Sequence, residues 1–535
     1  MTLEQTSYKQ NKYTLTTPLY YVNDVPHIGS AYTTIAADAL ARSKRLQGYE
    51  VLLITGNDEH GQKIQRTAEA RGLEPQVHCD EIVEAFDRLW QELNIQYDRF
   101  IRTTDPRHGL IVREFFQRVW DQGDIYLSRQ QGWYCVQCEE FKEERELLPD
   151  HYCAIHTNKV AEWRDEENYF FRLSKYQSQL EELYTSQPDF IQPESRRKEV
   201  LNFVAQGLTD FSISRINLDW GFPIPTDPKH TIYVWFDALL GYVTALLDPE
   251  DEPTLANAMA KWYPFDLHLI GKDILRFHAV YWQAMLMSAG LPTSNKVFGH
   301  GFLTKDGQKM GKSLGNTLDP IELVNKYSAD AIRYYFLKEI EFGKDGDFNE
   351  TRFIDILNAD LANDLGNLLN RSSGMVHKYF QGTLPAVNFD AELGNNPLRE
   401  IAENLGDRVI NHYNSLAFSN ACQEIFALIR AGNKYIDDQA PWKLYKQGEM
   451  ATVALVLASV LESVRLGAYL LSPIVPGLSS NIYQQLGFNV NFNDSPQIRD
   501  TLEFSTHSSW GILTTGQTLL TPQPIFQKLE PLQLE

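Results

Sequence analysis

The stretch Tyr13–Tyr21 (YTLTTPLYY), a helical pattern from Pro26 to Gly48, and Val51–Thr55 (VLLIT) together decide the fold. The first segment alternates and is rich in residues that favour strands, which predicts a strand. After Pro26 the apolar residues recur at helix spacing until Gly48 ends the pattern. Val51–Thr55 is short and apolar, as expected for a buried parallel strand. Strand, helix and strand in this order predict the start of a doubly wound α/β sheet of Rossmann type.

Length and composition limit the kind of protein. The 535 residues are enough for three or four domains, and a hydrophobic content of 43% is ordinary for a chain that buries cores. The formal net charge is −21, from 49 basic and 70 acidic residues, which argues against a protein that coats DNA. A protein that binds RNA through a local basic surface is still compatible with this charge.

The sequence carries no strong signal for export or for a membrane. Its five cysteines are an odd, sparse set rather than a disulfide framework. The residues before Tyr13 are polar and lack the apolar core of a signal peptide. The most apolar stretch, Ala451–Leu461, is too short to span a bilayer and is followed by Glu462 and Arg465. We therefore expect a soluble cytoplasmic protein.

The α/β pattern is interrupted once and later gives way to helices. Short segments between Leu127 and Asp165 interrupt it, and it returns at Thr231–Asp237 and Leu267–Gly271. From about Arg352 onward helical patterns dominate, which predicts an all-α bundle. The expected divisions are the first half of a catalytic domain at 1–120, an insertion at 121–230, the second half of the catalytic domain at 231–300, a loop region at 301–350, and the bundle with a C-terminal tail at 351–535.

A histidine and a serine stand at the first turn of the first predicted helix. In His27-Ile28-Gly29-Ser30, the side chains of His27 and Ser30 share one helix face. Helix N-termini attract phosphate through their N–H groups and dipole, and Gly29 lets a purine or a phosphate approach the backbone. The tetrad indicates nucleotide binding, and a plain helix cap is the alternative.

Two lysines lie on a loop that contains glycine, Lys309-Met310-Gly311-Lys312-Ser313. A P-loop is one explanation, but it requires a glycine at the position of Asp306, and the chain has its glycine one residue later. We therefore favour a different loop, in which Lys309 and Lys312 face phosphate groups.

A metal site is predicted by Cys135-x-x-Cys138 and, after fourteen intervening residues, Cys153-x-x-His156. Two such pairs make a tetrahedral Cys3His site for Zn²⁺. A set of four protein ligands leaves no position for a catalytic water, so the expected zinc is structural.

Polar and aromatic residues gather at the ends of predicted strands. Thr55–Gly61 (TGNDEHG) follows the second strand, and its carboxylate and histidine could hold an α-ammonium group or a metal. Val234–Ala238 (VWFDA) and Gly271–His278 (GKDILRFH) lie at two later strand ends. With Tyr242, their rings could line a pocket for an unbranched apolar side chain or a thioether.

These motifs resemble the signatures of class I aminoacyl-tRNA synthetases, and nearly the whole chain is similar to bacterial-type methionyl-tRNA synthetases with a single zinc knuckle. Ser30 and Gly311 depart from the commonest family pattern, which has a second histidine and a serine at these positions. The matching segments are Tyr20–Asn23, Pro26–Gly29, Thr55–Gly61, Cys135–His156, Val234–Ala238, Gly271–His278, Lys309–Ser313, Asn367–Arg371 and Ala440–Trp442.

The resemblance implies a reaction in two steps. Methionine and ATP with Mg²⁺ give methionyl-adenylate and pyrophosphate, and the methionyl group then passes to the 3′-terminal ribose of initiator and elongator tRNA(Met). It also implies one structural Zn²⁺ per chain. Because the chain ends soon after the bundle, we expect a monomer without a membrane partner.

The resemblance also assigns residues. The methionine site would consist of Leu19, Tyr21, Asp58, Trp235, Ala238, Tyr242, Ile274 and His278, with Asp58 binding the α-ammonium group. ATP would be bound by His27, Gly29, Ser30, Gly271, Asp273, Lys309 and Lys312, of which His27, Ser30, Lys309 and Lys312 would be catalytic. Arg215 would pair with the carboxylate cluster. The CAU anticodon would be read by Asn367, Arg371 and Trp442.

Three other functions compete with this one. A synthetase for leucine, isoleucine or valine would carry a large editing insertion, and the insertion of roughly 110 residues is too short for it. The other two are a zinc-containing phosphotransferase with a P-loop-like site and a helical RNA-binding scaffold on a relic nucleotide fold.

Overall fold

The computed structural model describes residues 11–154, 157–216, 218–310, 315–385, 387, 396–494, 502–513 and 516–530. The chain divides into two compact units. The first contains residues 1–26, 52–91 and 96–300, and the second contains residues 27–51, 92–95 and 301–535. The first helix, which follows the first strand in sequence, therefore belongs to the second unit.

The strands of the described part are numbered β1 to β16. In chain order they are Lys12–Tyr21, Glu50–Asp58, Arg99–Arg102, Ile125–Cys135, Glu140–Lys142, Glu162–Phe171, Ile191–Gln192, Phe211–Ser212, Ser214–Ile216, Pro223–Ile224, Asp227–Ile232, Leu267–Gly271, Val297–His300, Leu303–Lys305, Gln308–Lys309 and Gly346–Phe348.

The α-helices of the described part are numbered α1 to α20. In chain order they are Ile28–Leu46, Gln62–Arg71, Pro75–Glu92, Pro106–Asp121, Gln177–Ser186, Glu194–Ala205, Val234–Thr244, Leu255–Lys261, Trp282–Ser288, Pro320–Tyr327, Ala329–Glu339, Glu350–Leu357, Asn367–Phe380, Pro397–Ala402, Leu405–Asn414, Phe418–Gln439, Pro441–Gln447, Met450–Leu471, Pro476–Gln485 and Phe504–His507. Two π-helical segments are Phe277–Tyr281 and Asn358–Gly366. Short 3₁₀ turns are Glu144–Glu146, Pro149–His151, Leu173–Tyr176 and Lys272–Ile274.

The first unit is built on a six-stranded sheet with the order β3-β2-β1-β12-β13-β7. The pairs β2–β3, β1–β12, β12–β13 and β13–β7 are parallel. The predicted doubly wound sheet is therefore confirmed. Strand order reverses between β1 and β12, where Leu15 lies opposite Leu267. Open α/β sheets bind ligands at the carboxyl ends of their strands beside such a switch point.

Seven of the strands between residues 125 and 232 form two antiparallel sheets, with the orders β5-β4-β6-β8 and β10-β11-β9. The strand–helix pattern expected at Thr231–Asp237 is present, since β11 leads into α7, but β11 pairs antiparallel with β9 and β10 and so lies outside the parallel sheet. Conversely, β7 lies within the expected insertion but joins the parallel sheet beside β13. The parallel sheet itself resumes at β12.

The segment that leads into the lysine loop is a β-hairpin in the second unit. β14 and β15 pair antiparallel around Asp306 and Gly307, whose φ angles are 52° and 74°. Two consecutive positive φ angles are typical of a type I′ turn, which favours Asp-Gly. A P-loop instead joins a strand to a helix through a glycine-rich loop, so the hairpin contradicts that alternative. Gly311, Lys312 and Ser313 lie outside the described residues.

The rest of the second unit is a helical bundle around α18, which contacts α13, α14, α16, α17 and α19. By length and composition α18 is the one described helix that could cross a membrane, but its apolar window is entirely buried, as in a core helix. The helix continues past the apolar stretch Ala451–Leu461, as the helical pattern predicts. Glu462 and Arg465 are both buried in it, and Arg465 Nη2 lies 2.8 Å from Glu462 Oε1, so the two charges neutralise each other.

Candidate functional site

The residues expected to bind methionine all lie in the first unit, around the carboxyl ends of three neighbouring strands. Those at the ends of β1 and β2 are Leu19, Tyr21 and Asp58. The others lie on α7 or directly after β12, and they are Trp235, Ala238, Tyr242, Ile274 and His278. Positions that are far apart in sequence thus come to one edge of the sheet because β1 and β12 are neighbours.

Tyr242 and His278 form a buried polar pair. The Tyr242 hydroxyl lies 2.9 Å from His278 Nε2, and His278 Nδ1 lies 3.1 Å from the carbonyl oxygen of Ile274. Because a carbonyl oxygen only accepts, Nδ1 carries the proton and Nε2 accepts from the tyrosine hydroxyl. Burial lowers the pKa of His278 to about 4, so the ring is neutral near pH 7. The pair therefore offers a fixed polar contact without a charge.

An aromatic stack belongs to the same group of residues. The Trp235 ring stacks on Phe277 with centroids 3.9 Å apart and an interplanar angle of 7°. Leu19 fits against Gly241, where an added Cβ would lie 2.5 Å from Leu19 Cδ1. The small Ala238 is buried on the same helix. Aromatic faces and small residues suit a slender apolar side chain or a thioether.

Asp58 is a buried carboxylate with one oxygen left unsatisfied. It is 6% exposed, and its Oδ1 atom has no hydrogen-bond partner among the described residues. Burial raises the pKa of Asp58 well above its ordinary value, and the negative charge of Asp237 adds to this effect. An opposite charge at this place would favour the ionised form.

Asp58 lies outside the group of metal-type ligands found among the described residues, and the carboxylate next to it is already paired. In the part of the chain that the structure describes, the one group of three or more metal-type ligands is the thiol cluster of Cys135, Cys138 and Cys153. The adjacent Glu59 is already neutralised, because Arg102 Nε lies 2.5 Å from its Oε1 and the Thr104 hydroxyl lies 2.6 Å from its Oε2.

Glu139, on the turn after Cys138, contacts the site although sequence reasoning missed it. Its Oε1 accepts from the Tyr21 hydroxyl at 3.2 Å and from the Lys63 N–H at 2.7 Å. Its Oε2 accepts from the Tyr134 hydroxyl at 2.6 Å. Nothing in the sequence distinguishes Glu139 from Glu140, since only the fold turns one of the two carboxylates inward.

Arg215 reaches a carboxylate only through a tyrosine in the described part of the chain. Its Nε lies 3.5 Å from the Tyr134 hydroxyl, which in turn donates to Glu139. Its Nη1 donates to the Ser212 hydroxyl at 2.9 Å, and the guanidinium group lies 4.2 Å from the centroid of the Tyr233 ring. The direct ion pair expected from the family resemblance is thus replaced by an indirect connection.

Three of the four predicted zinc ligands come together. The Sγ atoms of Cys135, Cys138 and Cys153 lie within 4.8 Å of one another, and those of Cys138 and Cys153 are 3.6 Å apart. Zinc–sulfur bonds of about 2.3 Å in a tetrahedron place the sulfurs about 3.8 Å apart, so the cluster fits Zn²⁺. His156, the fourth predicted ligand, lies outside the described residues.

The residues expected to bind ATP are divided between the two units. In the first unit, Gly271 ends β12, and an added Cβ there would lie 2.5 Å from Asp273 Oδ1. In the second unit, His27 caps α1, and its Nδ1 accepts from the Gly29 N–H at 3.0 Å. Two further candidates of the second unit, the buried Ser30 and the exposed Lys309, lie in the first turn of α1 and in β15.

The expected anticodon residues lie on two neighbouring helices of the bundle. Asn367 and Arg371 are one turn apart on α13, and Trp442 lies at the start of α17. Tyr379 of α13 stacks on Tyr445 of α17 with ring centroids 4.0 Å apart, so these helices are in contact. The Trp442 residue is half-buried, so part of its surface is accessible to solvent.

Two family models cover most of the chain. A model described as "tRNA synthetases class I (M)" matches residues 13–149 and 144–373. A model described as "Anticodon binding domain of methionyl tRNA ligase" matches residues 388–535. The first covers the parallel sheet, the antiparallel sheets and the lysine loop, and the second covers the later helices of the bundle.

Individual proteins give the same result. The chain is 69% identical to a methionine–tRNA ligase of Synechocystis over 97% of this chain and 98% of that protein. It is 51% identical to the chloroplastic/mitochondrial methionine–tRNA ligase of Arabidopsis thaliana, over 98% of this chain and 84% of that protein. A structure of Mycobacterium tuberculosis methionyl-tRNA synthetase in complex with methionyl-adenylate superposes with a TM-score of 0.89 at 40% identity, covering 97% of this chain and 100% of that one. The chain therefore belongs to the methionyl-tRNA synthetases.

Proposed function

We propose that this chain activates L-methionine with ATP and transfers the methionyl group to initiator and elongator tRNA(Met). The observation that carries this proposal is the buried Asp58 carboxylate at the carboxyl end of β2, whose Oδ1 lacks a partner among the described residues. The alternatives, a synthetase for another apolar amino acid and a P-loop-like phosphotransferase, find no support in the relatives or in the hairpin at Asp306.

The amino acid is recognised at both of its ends. Asp58 binds the α-ammonium group, which supplies the missing positive charge. Leu19, Ala238 and Ile274 contact the side chain, while Trp235 covers it with an aromatic face and the Tyr242–His278 pair meets the thioether. Because this pair is neutral and fixed, it favours a weakly polar sulfur over a charged group.

ATP activation requires positioning and charge stabilisation rather than an enzyme nucleophile. His27, whose Nδ1 is occupied by the Gly29 N–H, carries its ring proton on Nε2 and can donate to a phosphate. Ser30 contributes a hydroxyl, and Lys309 and Lys312 stabilise the charge of the departing pyrophosphate. Mg²⁺ enters with ATP, and Gly271 and Asp273 contact the nucleotide.

The three thiols and His156 hold one structural zinc, which fixes the turn that carries Glu139. Asn367, Arg371 and Trp442 read the anticodon by edge hydrogen bonds and stacking, as single-stranded bases are usually recognised. We further propose that the enzyme is a cytoplasmic monomer with functional divisions near residues 120, 230, 300 and 350.

The test is the exchange of labelled pyrophosphate into ATP by the purified protein. We expect exchange with methionine and none with leucine or isoleucine, together with about one zinc per chain by elemental analysis. Equal exchange with leucine would refute the methionine assignment. Protein prepared without chelator that contains no metal would refute the zinc site.

A further inference from the structure

A second buried carboxylate lies near Asp58 and has no role in the function proposed above. Asp237, on α7, is fully buried. Its Oδ2 lies 2.6 Å from His60 Nδ1, and its Oδ1 lies 2.7 Å from His108 Nε2. Burial acts to raise the pKa of Asp237, but the two imidazoles outweigh it and lower the pKa below its ordinary value. Each carboxylate oxygen therefore accepts from one histidine.

In this cluster of His60, Asp237 and His108, the other ring nitrogen of His108 is also bound to α7. His108 Nδ1 lies 2.7 Å from the Thr244 hydroxyl oxygen, and that hydroxyl donates to the Leu240 carbonyl oxygen at 3.2 Å. Asp237 and Thr244 both belong to α7, so His108 is held at both of its nitrogens by one rigid element.

Aromatic rings cover the histidines. The Phe222 ring centroid lies 4.8 Å from that of His60 and 5.8 Å from that of His108. Trp220 lies 5.6 Å from His60, and its indole N–H donates to the Glu59 carbonyl oxygen at 2.5 Å. His60 thus has one carboxylate and two aromatic neighbours, which leave its ring little freedom to rotate.

His60 connects this group of side chains to Asp58 through the backbone. Asp58 is the last residue of β2, and His60 follows it by two residues, so the two side chains share one short stretch of backbone. Loss of the 2.6 Å contact between His60 and Asp237 would let this stretch move, and the Asp58 carboxylate with it. Resting on the function proposed above, we infer that Asp237 is a positioning residue for methionine, which holds His60 so that the Asp58 carboxylate stays where the α-ammonium group binds.

The test compares ligands that differ at the ammonium group. Asp237→Asn keeps the size of the side chain but replaces one acceptor oxygen by a donor, so that one histidine loses its partner. We expect affinity for methionine and for methioninol, measured on the zinc-loaded full chain, to fall by about tenfold or more. Inhibition by 4-(methylthio)butanoate, which lacks the ammonium group, should change less than about twofold, as should the KM for ATP. Equal losses for all of these ligands would overturn the inference.

Asp124→Asn is the matched control. Asp124 is a fully buried carboxylate of the same unit, with hydrogen bonds from Lys175, Tyr176 and Ser288 and no link to Asp58. The Asp124→Asn variant should have a lower melting temperature but the same methionine affinity as the parent chain. If Asp124→Asn weakens methionine binding as much as Asp237→Asn does, the effect is general loosening and the inference is wrong.

Two further variants keep the test decisive if Asp237→Asn folds poorly. His60→Asn retains a donor near the position of Nδ1 and should keep most of the methionine affinity that His60→Ala loses. In the background of Asp58→Asn, the Asp237→Asn change should have little additional effect on methionine affinity, because both act on one contact. Additive losses would refute the positioning role, whereas an Asp58→Asn variant with normal affinity would instead refute the proposed function.

Discussion

Two buried carboxylates, Asp58 at the sheet edge and Glu462 in the bundle core, show how differently the two units use charge. Glu462 is fully buried, pairs with Arg465, and accepts from the backbone N–H groups of Gly511, Ile512 and Leu513 at 2.8 to 3.0 Å. Asp58 is almost as buried but has an oxygen without a partner among the described residues. The first arrangement stabilises the fold, and the second leaves a charge for a ligand to satisfy.

Glu462→Gln should give the largest effect in stability. It leaves the buried guanidinium of Arg465 uncompensated, which typically costs about 3–5 kcal/mol. We expect the free energy of unfolding of the bundle, measured by urea denaturation, to decrease by this amount. The KM for methionine in pyrophosphate exchange should stay unchanged at 25 °C. The double variant Glu462→Gln, Arg465→Met should recover part of the loss. A bundle of unaltered stability would show that Glu462 is not needed to balance the charge.

Asp58→Asn should instead change methionine binding much more than stability. Loss of a charged partner for the ammonium group is expected to raise the KM for methionine by about 100-fold, since such contacts are worth about 2–5 kcal/mol. Steady-state exchange kinetics at varied methionine measure this, with the KM for ATP as the internal control. If the variant loses stability but binds methionine normally, the contrast between the two carboxylates is wrong.

Trp442→Ala tests whether the surface of the bundle also serves a ligand. Stacking on a base is worth roughly 1–3 kcal/mol, so charging of tRNA should weaken by about 5- to 150-fold in kcat/KM. Pyrophosphate exchange without tRNA should be unchanged. The half-buried ring also predicts a small decrease in melting temperature. Trp442→Phe should restore most of the charging, and equal losses of exchange and charging would identify a purely structural residue.

The smallest expected effect is a pH dependence of stability. The pKa of Asp58 in the folded chain lies above its ordinary value, so the protonated form is the one that folding favours. The stabilisation is fully present below the ordinary carboxyl pKa of the unfolded chain. It is lost as the pH rises from that pKa through the raised pKa of Asp58 in the folded chain. Without methionine, Asp58→Asn should therefore melt at a higher temperature than the parent chain near pH 7. This difference in melting temperature should become smaller as the pH is lowered. A difference that does not depend on pH would contradict the prediction.

Local patterns were sufficient to predict the parallel sheet, the thiol pairs and the helical bundle. Strand β1, helix α1 and strand β2 follow from periodicity, because one face or both faces of each element are buried. The Cys-x-x-Cys spacing predicts a metal site because two residues between the thiols let both reach one ion.

Other features depend on contacts between distant segments, which no local pattern records. Pairing of β11 with β9 placed it in an antiparallel sheet, and pairing of β7 with β13 brought part of the expected insertion into the parallel sheet. The burial of Glu139, the two histidines on Asp237 and the unsatisfied oxygen of Asp58 likewise arise only when these segments meet. By itself the sequence determined which residue types are available and which elements carry them. The tertiary structure decided which charges are neutralised and which are left for a ligand, because burial and partners are properties of the folded chain.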